Sequence, residues 1–308
     1  MEKMDRTDEQ LLETIADLHG IPEGSFNIRK NGKLLARNSD TDIEIVSKTD
    51  KDGIDIIVKP NVKNKSVHIP VLLTVGDFQD TVYNDFFIGE NSDVTIVAGC
   101  GIHNDTCGNA EHDGVHTFYV GKNAKVRYIE RHYANGSGTG KKVFDPVTKI
   151  CLKENSQFIL ESTQLGGVTY TDRKTYATVG KNAQLLVKEK ILTDGEEKAI
   201  TDFKVKLTGK NSRADIVSRS VAKGKSLQQF KSDMIGKNEC FGHVECDGIV
   251  LDGARIISTP KIDAVSPEAS LVHEAAVGKI AGEQLLKLMS LGLTEQEAED
   301  AVIKGFLN

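Results

Sequence analysis

The sequence predicts a mainly β protein: a solenoid of stacked coils, with a short helix before it and a helical hairpin after it. Three observations carry that expectation. Runs of strand-type alternation follow one another with no helical segment between them. A Gly-x-Asn-like corner recurs six times between those runs. The pattern then stops near Ile262 and gives way to helical periodicity.

Residues 5–19 form a short amphipathic helix, because Leu11, Leu12, Ile15 and Leu18 fall at helical spacing and Gly20 with Pro22 ends the run. Across residues 25–75, Ile43 and Ile45, then Ile54, Ile56 and Val58, sit two apart as in strands. Asn38-Ser-Asp and Asp52-Gly mark turns between them. The repeat follows from about residue 85, with corners at Asn91, Asn123, Asn155, Asn182, Asn211 and Asn238. The steps between them are 32, 32, 27, 29 and 27 residues. Glycine and asparagine tolerate positive φ, so each copy is a tight corner, and the alternation beside it turns one strand face inward. An antiparallel sandwich would not require such a recurring corner. After Pro267, residues 281–290 and 294–306 read as two helices; Gly292 closes the first, and Thr294-Glu-Gln-Glu297 has capping-box spacing for the second. The expected organisation is an N-terminal helix and β region (1–75), a solenoid core (76–265) and a helical end (266–308).

With 39 Lys and Arg against 45 Asp and Glu, the net charge is −6, which argues against a phosphate-binding footprint and hence a nucleic-acid partner. No apolar run approaches the ~20 residues of a membrane helix. The N-terminus lacks the apolar stretch of a signal peptide, so the expected location is cytoplasmic. Five widely spaced cysteines fit free thiols in a reducing compartment better than a disulfide framework.

Three groups could carry chemistry. Cys246 offers a thiolate that is both nucleophile and soft ligand, and His273 and Glu274 suit borderline or hard ions. Cys246 and His273 are 27 residues apart, one repeat step; counted as two coils, that step puts them roughly 10 Å apart along the stack. The bland alternative is a buried thiol and a capping histidine. The second group crowds Cys100, His103, Cys107, His112 and His116 into 17 residues. Its spacing could supply four zinc or iron ligands, but its Gly, Asn and Asp content also fits a solvated loop. The third, Arg127, Glu130, Arg131, His132, Gln164 and Arg173, is scattered over strands and is explained equally well by solvent-facing side chains. No GxxxxGK[ST] loop is present, so ATP hydrolysis by this chain is not expected.

The stretch Val272-His273-Glu274-Ala275-Ala276-Val277-Gly278 leads into Glu283-Gln284-Leu285-Leu286, and the chain closes on Val302-Ile303-x-Gly305-Phe306. This resembles the C-terminal signature of the SufB/SufD family of iron–sulfur cluster assembly scaffolds. Glu245-Cys246-Asp247-Gly248 resembles that family's Gln-Cys-Asp-Ser segment. With the repeats, the resemblance spans roughly residues 65–308. It implies a right-handed parallel β-helix core and a scaffold, not an enzyme, that carries a transient iron–sulfur cluster. It also implies that the terminal helices, through Leu285, Leu288, Met289, Ala298, Val302 and Phe306, dock a SufC-like ABC ATPase.

Having Cys246, His273 and Glu274 together makes the chain look more like SufB, in a short form; Val272 stands where the family has an acid. The family joins related subunits at their C-terminal ends. A homodimer, or pairing with a related SufB/SufD subunit, would therefore bring two copies of Cys246 and His273 to one interface. Two alternatives stand beside this reading. One is a metal-dependent β-helix enzyme using the Cys100–His116 group, although 6% aromatics and no Trp give little of a carbohydrate platform. The other is an ATPase adaptor that holds no cluster.

Overall fold

A computed structural model describes residues 4–164 and 166–307. Helix α1 (Arg6–Ala16) is followed by the hairpins β1 (Ser25–Lys30)–β2 (Lys33–Asn38) and β3 (Ile43–Ser47)–β4 (Gly53–Val58). The short strands β5 (Lys65–His68) and β6 (Val71–Leu73) come next, then the longer β7 (Phe78–Ile88), β8 (Asp93–His103), β9 (Ala110–Val120) and β10 (Lys125–Asn135). After them run β11 (Lys142–Phe144), β12 (Val147–Leu152), β13 (Gln157–Gln164), β14 (Tyr170–Val179), β15 (Gln184–Thr193) and β16 (Lys198–Leu207). The last strands are β17 (Ser212–Ala222), β18 (Leu227–Gly236), β19 (Cys240–Val250), β20 (Arg255–Ala264) and β21 (Ala269–Gly278). Helices α2 (Gly282–Met289) and α3 (Glu295–Leu307) close the described chain.

Strands alternate between two sheets. One runs β2-β1-β5-β8-β10-β13-β15-β17-β19-β21, and the other β20-β18-β16-β14-β11-β9-β7-β4-β3. Apart from the β1–β2 and β3–β4 hairpins every pairing is parallel, which makes a β-solenoid of about eight turns. Each coil thus contains one strand of each sheet, so one repeat step is one coil. The two-coil count is corrected: a step of 27 residues divides into two ten-residue strands and two corners, leaving Cys246 and His273 on adjoining strands.

The repeat's chemistry is local. Asn91, Asn123, Asn155, Asn182 and Asn211 hold φ between 53° and 60°, the left-handed region that asparagine tolerates. The next residue turns inward where only a small side chain fits, and Ser92, Ala124, Ser156, Ala183 and Ser212 are all buried. The asparagines bond to one another along the stack: Asn123 Nδ2 donates to Asn91 Oδ1 (2.9 Å), Asn155 to Asn123 (3.0 Å) and Asn182 to Asn155 (3.0 Å). Asn61, outside the recognised repeat, begins this ladder. Asn238 departs from it, its side chain accepting instead from the N–H of Glu239.

Helix α1 starts at Asp5, whose carboxylate and that of Asp8 each accept the other's backbone N–H, and it ends at Asp17 rather than at Gly20. Its apolar stripe lies on β8 at Gly99 and Gly101. A Cβ on Gly99 would fall 2.4 Å from the Ile15 carbonyl oxygen, so that position must be glycine for the helix to dock. The expected capping box of α3 is present: Thr294 N–H and Oγ1 both donate to Glu297 Oε2 at 2.8 Å. All five cysteines are free thiols.

Candidate functional site

Alternation decides which side chains share the solenoid interior. On β19 and β21, Cys246 lies opposite Ala275 and His273 opposite Val244, so both point inward, one diagonal step apart. Cys246 is buried beneath the last coil, and burial pushes its thiol pKa up. His273 Nε2 is buried with no hydrogen-bond partner among the described residues, and burial, then His243, lowers the ring's pKa. Glu274 is one residue on in a strand and therefore faces out, beside Glu245. The trio expected from the sequence is split within one chain: thiol and imidazole inside, carboxylate outside.

Cys246 also ends a polar row. The register places Glu130, Ser162, Glu189, Ser218 and Cys246 on successive strands of one inner face. From the facing sheet, Arg173 pairs with Glu130, its Nη2 donates to His132 Nδ1 at 2.7 Å, and its Nε lies 3.8 Å from Glu189. Glu189 accepts from Ser218 Oγ (2.7 Å) and Thr201 Oγ1 (3.0 Å). Burial opposes charge on Glu130, but Arg173, with His132 and His116, holds its pKa down to about 2. Burial raises the Glu189 pKa against the pull of the same guanidinium. Burial, with Arg173 against Nδ1, keeps His132 neutral with a pKa of about 3, despite Glu130.

These residues correct the solvent-facing reading of the third sequence group: Glu130, His132, Gln164 and Arg173 are interior. Only Arg127 and Arg131 face out, paired with Glu161 and Asp17. The signal was available, since Val126, Tyr128 and Ala134 set the phase in which 130 and 132 point inward.

The Cys100–His116 group divides in the same way. His103 lies at the surface, its ring between Asn135 Oδ1 (2.7 Å) and Asp105 Oδ2 (2.9 Å), and Cys107 is exposed on the following loop. Cys100, His112 and His116 are interior. His112 Nδ1 lies 3.3 Å from Asp80 Oδ2, and Arg29 Nη2 donates to Asp80 at 3.1 Å. Burial disfavours charge on His112, but Cys100 and Asp80 bring its pKa up to about 10. His116 Nδ1 is 2.6 Å from Tyr128 Oη, which donates to Glu130 at 3.0 Å; burial keeps this ring neutral, with a pKa of about 4. A further acidic trio that the sequence did not single out, Glu111, Asp113 and Asp145, lies on the outer face.

At the helical end, Ala298 is buried, and Val302 and Phe306 pack with Ile303, Val221 and Ile249 against the last coils. Of the residues expected to dock a partner, these three therefore face the protein's own core, and Leu285 and Leu288 are half-buried. The exposed apolar surface is Leu286, Met289 and Leu291.

With this geometry in place, comparison with known proteins is specific. Residues 82–306 match the family described as SUF system FeS cluster assembly, SufBD core domain. The chain is similar to an iron–sulfur cluster assembly SufBD family protein of Archaeoglobus fulgidus, at 32% identity over 280 residues, covering 89% of this chain and 73% of that protein. A Methanothermobacter thermautotrophicus (strain Winter) relative is 34% identical over 245 residues, 76% of this chain and 57% of the relative. The chain thus spans little more than half of that protein. One from Methanocaldococcus jannaschii is 27% identical over 295 residues, 94% of this chain and 92% of the relative.

Proposed function

We propose that this chain, which belongs to the SufBD family of the SUF iron–sulfur cluster assembly system, is a SufB-like scaffold that gathers a nascent cluster at the C-terminal end of its solenoid. One observation carries the site: Cys246 and His273 turn into the same lumen on adjoining strands of the last coils. The cluster is cargo here. Cys246, protonated at rest because it is buried, becomes a thiolate ligand as iron displaces its proton, and His273 supplies a neutral imidazole whose Nε2 has no competing partner among the described residues. Through Cys246 and His273 each chain contributes one thiol and one imidazole to this site. A second copy, or a related subunit, completes four soft or borderline ligands across the interface.

Glu274, on the outer face, acts at that interface rather than beside Cys246. Energy comes from a separate SufC-like ABC ATPase, and Leu286, Met289 and Leu291 on the exposed side of the helical hairpin support docking there. Anaerobic reconstitution with iron and sulfide tests the site. Cys246→Ala and His273→Ala should each lose the cluster's visible absorbance while the far-ultraviolet spectrum of the solenoid is kept. Unchanged iron and sulfide content in both variants would sink the assignment.

A further inference from the structure

The outer faces of the two sheets are finished differently. Helices α1 and α3 pack on the outside of the sheet that contains β8 and β17. On the outside of the other sheet, Ile57, Phe87, Tyr119 and Cys151 occupy one register row across β4, β7, β9 and β12. Ile57, Phe87 and Tyr119 are 37%, 41% and 45% exposed, and Cys151 is exposed beside them. Phe87 and Tyr119 stack at 5.2 Å with their rings 9° from parallel, so the row is ordered before anything touches it. Three strand steps make this apolar stripe about 14 Å long, running along the stack and across the strands.

Charge around the stripe is uneven. Elsewhere on this face cations meet acids, as in Lys174–Asp172, Lys204–Asp202 and Lys261–Asp233. Around the Cys151 end they do not. Lys149 and Lys153 stand two residues before and after Cys151, and Lys206 lies opposite Thr178, which is itself opposite Cys151. Lys59 follows Ile57 by the same two-residue step. All four lysines are exposed, and none pairs with an acid among the described residues. At the opposite end, Asp55 and Asp85 are taken up by Lys48, and Glu44 lies opposite Ile57. A chain whose net charge is −6 thus carries an apolar stripe with a cationic end.

We infer that this stripe docks an amphipathic helix of an acidic partner protein, laid along the stacking direction with its acidic flanks toward the Cys151 end. Spacing selects a helix. Successive anchors along the stripe are ~4.8 Å apart, close to the pitch of about 5.4 Å at which a helix repeats its apolar face. An extended segment repeats one face every two residues, about 6.8 Å, and falls out of step. The lysines select acidic flanks. An anionic bilayer repels a chain of net negative charge, whereas a short acidic helix meets chiefly the local lysines, because screening at physiological salt confines each charge to about 8 Å. The stripe lies on the sheet opposite the one that carries Cys246 and needs no part of the cluster site.

The probe is a fluorescein-labelled synthetic peptide of about 16 residues, with one leucine per turn flanked by glutamates and alanine elsewhere, added to the full-length chain. Saturable binding by fluorescence anisotropy is expected, weakening as salt rises, and the same peptide with lysine for glutamate should not bind. Phe87→Ser with Tyr119→Ser should weaken binding at least tenfold. Lys149→Glu with Lys153→Glu, which leaves the apolar row intact, should do the same. Lys188→Glu, on the opposite sheet, and Cys246→Ala should bind as the parent does. No binding by the parent overturns the proposal, as does equal binding by the Phe87→Ser and Tyr119→Ser chain. Failure of that chain to fold leaves the decision to the lysine pair, and unchanged binding there overturns it. Two further results overturn it by placing a different occupant on the stripe. One is co-sedimentation of the parent with phosphatidylserine vesicles that Phe87→Ser with Tyr119→Ser abolishes; the other is a parent dimer that the same pair converts to monomer. Because Cys246→Ala is read beside these variants, cluster loading can fail while this surface stands, and the reverse.

Discussion

Inside the solenoid, individual protons matter. His132 is neutral with a pKa of about 3, where a free imidazole has 6.5. An unfolded chain therefore takes up a proton below 6.5 that the folded chain refuses. A depressed folded pKa means that this contribution is complete above 6.5 and is lost as pH falls. Glu130 adds to the loss from 4.5 down to about 2. For His132 alone the slope is about 1.4 kcal/mol per pH unit. The thermal unfolding midpoint should decline below pH 6.5, where His132 and His116 refuse the proton that the unfolded chain takes up, and also above it, where the stability His112 gains from its raised pKa is lost as pH rises toward 10. His132→Gln, which can still accept from Arg173, should flatten the decline between pH 6.5 and 4.5; an unaltered slope in circular-dichroism melts would mean the ring is not neutral in the fold. That His132 lies inside was legible in the phase of β10. That it would meet a guanidinium 41 residues away was not, because contacts between sheets depend on which coils face each other.

At the level of elements, the corners were the most legible feature, since asparagine in the left-handed region followed by a buried small residue is a local requirement. The opposite corners, Asp194-Gly195, Lys223-Gly224 and Asp252-Gly253, have positive φ at Gly195, Gly224 and Asp252, but they share only a glycine after a charged residue, too short a signal to reveal the division of each step into two strands. Docking of α1 was equally hidden, for it depends on Gly99 and Gly101, two outward glycines within β8, matching Leu11 and Ile15. Gly99→Val should push Ile15 off the sheet. Overpacking of this kind costs about 1–3 kcal/mol. Limited proteolysis should then cut between α1 and β1 while the solenoid core survives, whereas Gly195→Ala, at an open turn, should leave α1 protected. Equal protection of α1 in the parent and in Gly99→Val would show that the helix is not held by that glycine face.

At the scale of the whole molecule, the two ends of the solenoid differ. Helix α1 packs beside the first coils, but β20 and β21 each pair on one side only, and each leaves a ten-residue parallel edge. Ile262, Val265, Val272 and Val277 around that end are 47%, 61%, 36% and 44% exposed. Free edges with apolar neighbours are templates for another strand, and stacked-coil proteins ordinarily cap them. The same end holds His273 and, one strand in, Cys246, so covering the edge and completing the ligand set are one event in the proposed scaffold. The expected outcome is a concentration-dependent dimer in sedimentation. Val272→Asp with Val277→Asp should shift it to monomer, because like charges would then face each other across a two-fold axis. Cluster loading should fall in step with dimer content. A chain that remains monomeric at tens of micromolar yet loads a full cluster would remove the shared-interface model and leave Cys246 and His273 to act within one copy.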